Sequence, residues 1–122
     1  MKKLLVIDDD EQFREFMRDA LTDQGYEVIL ADNGSEGMRS ATELSPDLVI
    51  TDIVMPEKEG VEVLMELRTN DKNLPVIAMS GYNKGNADSY LKIAQKLGAS
   101  AVLSKPFTIS ELIVEIEKSL NT

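Results

Sequence analysis

Short apolar runs with no polar residue inside them recur along this chain, and they limit its fold more than any other feature. Leu4-Leu5-Val6-Ile7 and Val76-Ile77-Ala78-Met79 are apolar throughout, and Leu48-Val49-Ile50 leads straight into Thr51. None alternates with polar residues, so each reads as a strand buried on both faces, the pattern of a parallel sheet covered by helices. Glu27-Val28-Ile29-Leu30-Ala31 and Ala101-Val102-Leu103-Ser104 read as two further strands.

The segments between these runs carry the helical period. Phe13, Phe16, Met17, Ala20 and Leu21 share one face of a helix expected over residues 11–24, with Asp10 as N-cap and Gly25 as the stop. Asn33-Gly34-Ser35 supplies a turn and cap before a helix turning Met38, Ala41 and Leu44 inward, and Ser45-Pro46 closes it. Val61, Leu64 and Leu67 predict a third helix from near Gly60 to near Asn70. A fourth places Tyr90 or Leu91, Ala94 and Leu97 on its inner side before Gly98. Ile109, Leu112, Ile113, Ile116 and Leu120 mark the last, with Thr108 or Ser110 to cap it. Strand and helix in alternation predict an α/β fold, a doubly wound five-stranded parallel sheet with right-handed crossovers. Precedent for a flavodoxin-like (βα)5 sheet gives the order 2-1-3-4-5, which makes the first and third strands neighbours.

Composition narrows the chemistry. With 122 residues, 43% of them hydrophobic, the chain fits one domain, residues 1–122, with no output domain expected; Asn121-Thr122 after the last helix reads as a natural end. Asp and Glu number 22 against 13 Lys and Arg, a net charge of −9 that disfavours nucleic acid and anionic membrane surfaces as partners. There is no cysteine and no histidine, which removes disulfides, thiolate metal sites and imidazole catalysis. Lys2 and Lys3 precede only four apolar residues, far short of a signal peptide or a membrane span, and a cytoplasmic protein is expected.

Sorted by position, the polar residues fall at strand ends: Asp8 and Asp9 after the first strand, Asp52 closing the third, Ser80 the fourth and Lys105 the fifth. Taken singly, each has an ordinary role as turn, cap or solvated side chain. Parallel strands all finish at one edge of the sheet, however, where such folds place ligands, and the set converges there. Carboxylates without histidine form a hard-oxygen site suited to Mg²⁺ and a phosphate. Ser80 can donate a hydrogen bond and Lys105 a positive charge to phosphoryl oxygens in an in-line transfer, with Asp52 as the nucleophile.

Val6-Ile7-Asp8-Asp9-Asp10, Asp52-Ile53-Val54-Met55-Pro56 with Gly60 behind it, Met79-Ser80-Gly81 and Lys105-Pro106-Phe107 stand in an order and spacing that resemble the receiver domains of two-component response regulators, across the whole chain. The resemblance implies that Asp52 accepts a phosphoryl group from a histidine kinase or histidine phosphotransferase. It further implies Mg²⁺ held by Asp9, Asp52 and the Val54 backbone carbonyl, with Asp8 acting through water. Ser80 and Lys105 would contact the phosphoryl group, and Lys105-Pro106 would be cis. The chain would catalyse only its own phosphorylation and dephosphorylation. Its output would be a phosphorylation-dependent contact with a downstream protein, or onward phosphotransfer. The contact surface would be the last strand and the two helices flanking it. A monomer is expected, with a weak phosphorylation-dependent dimer as the alternative.

Two departures from the family pattern bear on how the signal is read. Many receivers carry tyrosine or phenylalanine three residues before the lysine, where this chain has Val102, too small for a side-chain swing to bury or expose much surface. The stretch from Ser80 to Gly98 is longer than in the chemotaxis regulators. It contains Tyr82, which with Val54 is expected to shield an aspartyl phosphate from water. Two rival functions are a haloacid-dehalogenase-type phosphatase and a protein-binding pseudo-receiver. Asp8-x-Asp10 mimics the phosphatase motif, but Gln12 stands where threonine or valine is required and no acidic pair follows Lys105; the pseudo-receiver would have lost phosphorylation residues that are all here.

Overall fold

The computed structural model of the chain describes residues 1–53, 60–80, 92 and 94–121. Each apolar run is a strand: β1 (Lys3–Ile7), β2 (Glu27–Ala31), β3 (Leu48–Asp52), β4 (Val76–Ser80) and β5 (Ala101–Ser104). They form one sheet in the order β2-β1-β3-β4-β5, all neighbours parallel, as the doubly wound reading predicts. The central strands β3 and β4 are buried at every residue, whereas the edge strands β2 and β5 are partly exposed. Only a strand covered on both faces can afford an unbroken apolar sequence.

Successive side chains of a strand point to opposite faces, and the core divides accordingly into two layers. Leu5, Ile7, Val49, Val76 and Ala78 face one way, against α2 (Gly34–Leu44) and α3 (Gly60–Asn70). Leu4, Val6, Leu48, Ile50, Ile77 and Met79 face the other, against α1 (Glu11–Asp23) and α4 (Ile109–Leu120). The caps follow side-chain chemistry. Asp10 accepts from the Phe13 N–H at 3.2 Å, and Asn33 accepts from Glu36 N–H at 2.9 Å. Of the two candidates for α4, Thr108 is the cap, in a reciprocal pair with Glu111 that satisfies two otherwise unpaired N–H groups. Gly25 ends α1 with φ +94°, a conformation that side chains with a Cβ rarely adopt. At Gly37 a Cβ would lie 2.4 Å from the Ile7 side chain, so α2 approaches β1 more closely than any other residue there would allow.

Two inward assignments need correction. Phe16 is 50% exposed and Leu44 44% exposed, because the buried stripe of α1 runs through Met17 and Leu21, and Leu44 sits on the open last turn of α2. On α3, Val63 joins Leu64 and Leu67 in the core, while the Val61 side chain lies outside the described residues. Ala94 and Leu97 do pack inward; Tyr90 and Leu91 lie outside the described residues.

Candidate functional site

Strand register assembles the carboxyl edge. Ile7 pairs with Thr51, Asp52 with Met79, and Ser80 with Ser104, so Asp8, Asp52, Ser80 and Lys105 finish adjacent strands within a residue of one another. Backbone bonds past the strands extend this alignment: Asp8 N–H donates to Ala31 O at 3.1 Å, Ile53 N–H to Met79 O at 2.9 Å and Lys105 N–H to Ser80 O at 2.8 Å. Asp8 and Ser80 are 0% exposed and Asp52 2%, while Asp9 faces solvent.

Lys105 joins the two buried carboxylates. Its Nζ donates to Asp8 Oδ2 at 2.7 Å and to Asp52 Oδ2 at 3.3 Å. The other Asp8 oxygen accepts from Asp10 N–H at 2.9 Å, and the Asp8 carbonyl accepts from Arg14 Nη1 at 2.8 Å. Burial pushes the Asp8 carboxyl above its ordinary value; the hydrogen bond and charge of Lys105 oppose that rise without cancelling it, and the nearby Asp52 charge adds to it. For Lys105 burial alone would favour the neutral amine, but the bond and charge of Asp8, joined by Asp52, outweigh it and raise its pKa. The ammonium is therefore held in its charged form between two acids.

Donor oxygens of Asp8, Asp9 and Asp52 lie within 4.8 Å of one another, close enough to share one cation. Three carboxylates without a nitrogen or sulfur donor suit a hard ion such as Mg²⁺, and with Lys105 as the only cation bonded to them among the described residues the group keeps excess negative charge for a cation to offset. Beside them the Ser80 hydroxyl is buried and has no hydrogen-bond partner among the described residues. An unpaired buried hydroxyl is costly, which suits a group whose partner is a ligand.

The Lys105-Pro106 peptide is cis, as the resemblance implies. Val102 is half-buried against the Leu5 and Val49 layer. The expectations placed on Val54 and Tyr82 lie outside the described residues. Two neighbours of the site were not singled out from the sequence. Arg14 braces the Asp8 backbone, and the Phe13 ring lies under the Lys105 ammonium at 4.0 Å from ring centroid to Nζ. Both occupy the first turn of α1 beside the Asp10 N-cap, but which way that turn faces is set by the packing of the helix on the sheet, which no spacing in the sequence encodes.

A 2-1-3-4-5 sheet with acids beyond its first and third strands and a lysine beyond its fifth defines the receiver class of signalling domain, whose members take a phosphoryl group on an aspartate. The chain belongs to that family: the response regulator receiver domain model matches residues 4–117. It is 32% identical over 119 residues to sporulation initiation phosphotransferase F of Bacillus subtilis, covering 98% of this chain and 94% of that protein. It is 31% identical over 120 residues to the regulatory protein AtoC of Escherichia coli, covering 98% of this chain but only 25% of that one. The crystal structure of a response regulator receiver domain protein from Clostridium thermocellum superposes with a TM-score of 0.92 at 35% identity, covering 99% and 95% of the two chains. Among the described residues, no helix is long and apolar enough to cross a membrane.

Proposed function

We propose that this chain is a single-domain response regulator that accepts a phosphoryl group on Asp52 from the phosphohistidine of a kinase or phosphotransferase in the cytoplasm. The observation that carries this reading is the joining of Asp8 and Asp52 by one lysine, with Asp9 within ligand distance and an unpaired serine hydroxyl alongside. An Asp52 carboxylate oxygen attacks phosphorus, the phosphorus–nitrogen bond of the donor breaks, and the imidazole leaves. Lys105 moves its hydrogen bond from carboxylate to a phosphoryl oxygen, and Ser80 donates its hydroxyl hydrogen to another. Mg²⁺, held by Asp9, Asp52 and the Val54 carbonyl with Asp8 acting through water, would neutralise charge on the phosphoryl oxygens. Output then passes through a contact with a downstream protein or through onward phosphotransfer, and the net charge of −9 disfavours direct nucleic-acid binding.

Incubation with acetyl phosphate and Mg²⁺, followed by intact-mass and peptide analysis, tests this reading. One phosphoryl group on Asp52, absent when Mg²⁺ is chelated, is the expected result. Continuous release of phosphate from added phosphomonoesters would identify a phosphatase instead, and no modification at all would identify a pseudo-receiver.

A further inference from the structure

The Lys105 ammonium sits in a three-sided socket. Two sides are the Asp8 and Asp52 carboxylates, at 2.7 and 3.3 Å; the third is the face of the Phe13 ring, 4.0 Å from Nζ. The lysine side chain is 16% exposed. Phe13 is itself held: Phe107 meets it edge-on at 6.1 Å with an interplanar angle of 87°, and the Phe13 N–H is bonded to the Asp10 cap. An edge-to-face pair is a favoured aromatic geometry, so the ring has a fixed orientation from which to present its negative face to the cation.

This arrangement separates two tasks. The carboxylate contacts must loosen when Lys105 turns to a phosphoryl oxygen, because one of the two acids is the group that becomes phosphorylated. The ring contact makes no such demand, since the attraction of a π face for an ammonium does not use up a donor hydrogen. A lysine stem otherwise loses much of its rotamer freedom on being fixed. We propose that Phe13 is a positioning residue for phosphoryl uptake, its ring holding the Lys105 ammonium at the edge of the sheet while the hydrogen bonds of that ammonium pass from carboxylate to phosphoryl oxygen. This rests on the reading of Lys105 as a phosphoryl contact.

The test is the rate of labelling of the full chain by acetyl phosphate with Mg²⁺, in wild type, Phe13→Leu, Phe13→Tyr, Lys105→Met, Asp52→Asn and the double variant Phe13→Leu/Lys105→Met, with a circular-dichroism melt of each. Leucine keeps the apolar bulk but removes the ring face, and should slow labelling roughly three- to tenfold, the range of a partly desolvated cation–π contact. Tyrosine keeps the face and should label within about twofold of wild type, as expected when the attraction is retained. In the Lys105→Met background the Phe13→Leu change should have no further effect, which a merely structural role of the ring could not produce. Wild-type rates in Phe13→Leu, equal slowing by leucine and tyrosine, or a Phe13 effect that persists without the lysine would each overturn the positioning role while leaving the proposed function standing. Undiminished labelling of Asp52→Asn would overturn both.

Discussion

At the amino edge of the sheet, the charged side chains of Lys3, Asp47 and Arg68 hold backbone together. Lys3 Nζ donates to the Leu44 carbonyl at 3.0 Å, and Asp47 accepts from the Lys3 N–H at 2.7 Å. Arg68 reaches three carbonyls, those of Gly98 at 2.9 Å, Asp71 at 3.3 Å and Leu74, tying the end of α3 to the turns before β4 and β5. At the carboxyl edge the same residue types are arranged in the opposite sense: two acids are buried side by side, one lysine serves both, and the Ser80 hydroxyl has no partner among the described residues. At one edge these charged groups bond backbone within the chain; at the other, an excess of acid over base and the Ser80 hydroxyl suit a ligand. Substitutions should therefore sort by edge, with loss of chemistry on one side and loss of stability on the other.

The largest effect is expected at Asp52. Replacing Asp52 with asparagine should reduce acetyl-phosphate labelling to background. Unfolding free energy should move by less than about 1 kcal/mol, because Lys105 keeps its shorter bond to Asp8 and the repulsion between two acids disappears. Intact mass and urea titration on one preparation measure both. A loss of several kcal/mol in stability would show that the carboxyl edge is structural after all.

Next is Lys105→Met, which keeps the stem but removes the charge. Labelling should slow on the order of a hundredfold, the scale of removing one preorganised donor from developing negative charge. A rate near wild type would break the assignment of Lys105 to the phosphoryl group and leave only its pairing with Asp8.

Arg68→Ala probes the other edge. Three carbonyls lose a charged donor, and stability should fall by about 1–3 kcal/mol, read by urea titration. Once folded, the variant should label within about twofold of wild type, because the intact sheet still sets the carboxyl edge. Strong loss of labelling in folded Arg68→Ala would mean that the two edges are coupled and the contrast between them is false.

This contrast was only half visible in the sequence. The apolar runs declared the strands, and because parallel strands end together, Asp8, Asp52, Ser80 and Lys105 could be placed on one edge without coordinates. Strand order came from precedent, since periodicity carries no information about which strands are neighbours. Phe16 and Leu44 were misplaced because a helical period finds the apolar face but not how far the sheet covers its flank. The triple reach of Arg68 and the ring under Lys105 depend on how helices are rotated and tilted against the sheet, and no spacing in a single sequence encodes that. Arginine near a helix end reads as a solvated charge until the turns it meets are placed.

The smallest expected effect is also the most discriminating, because at Ser80 the two edges predict opposite signs. A serine hydroxyl bonded within the chain, as Ser100 Oγ is to the Val76 N–H at 3.3 Å, stabilises the fold, and its removal costs about 1 kcal/mol. The Ser80 hydroxyl is buried without a partner among the described residues, so Ser80→Ala removes a desolvated group that gives nothing back. The variant should be more stable than wild type by about 0.5–1 kcal/mol when no phosphoryl donor is present. With acetyl phosphate and Mg²⁺ it should label roughly fivefold more slowly, the worth of one hydrogen bond to a phosphoryl oxygen. Urea titration and labelling rate on the same variant decide the matter: a gain in stability paired with a loss in rate marks a hydroxyl kept for the ligand, whereas losses in both would place Ser80 with Ser100 as part of the scaffold.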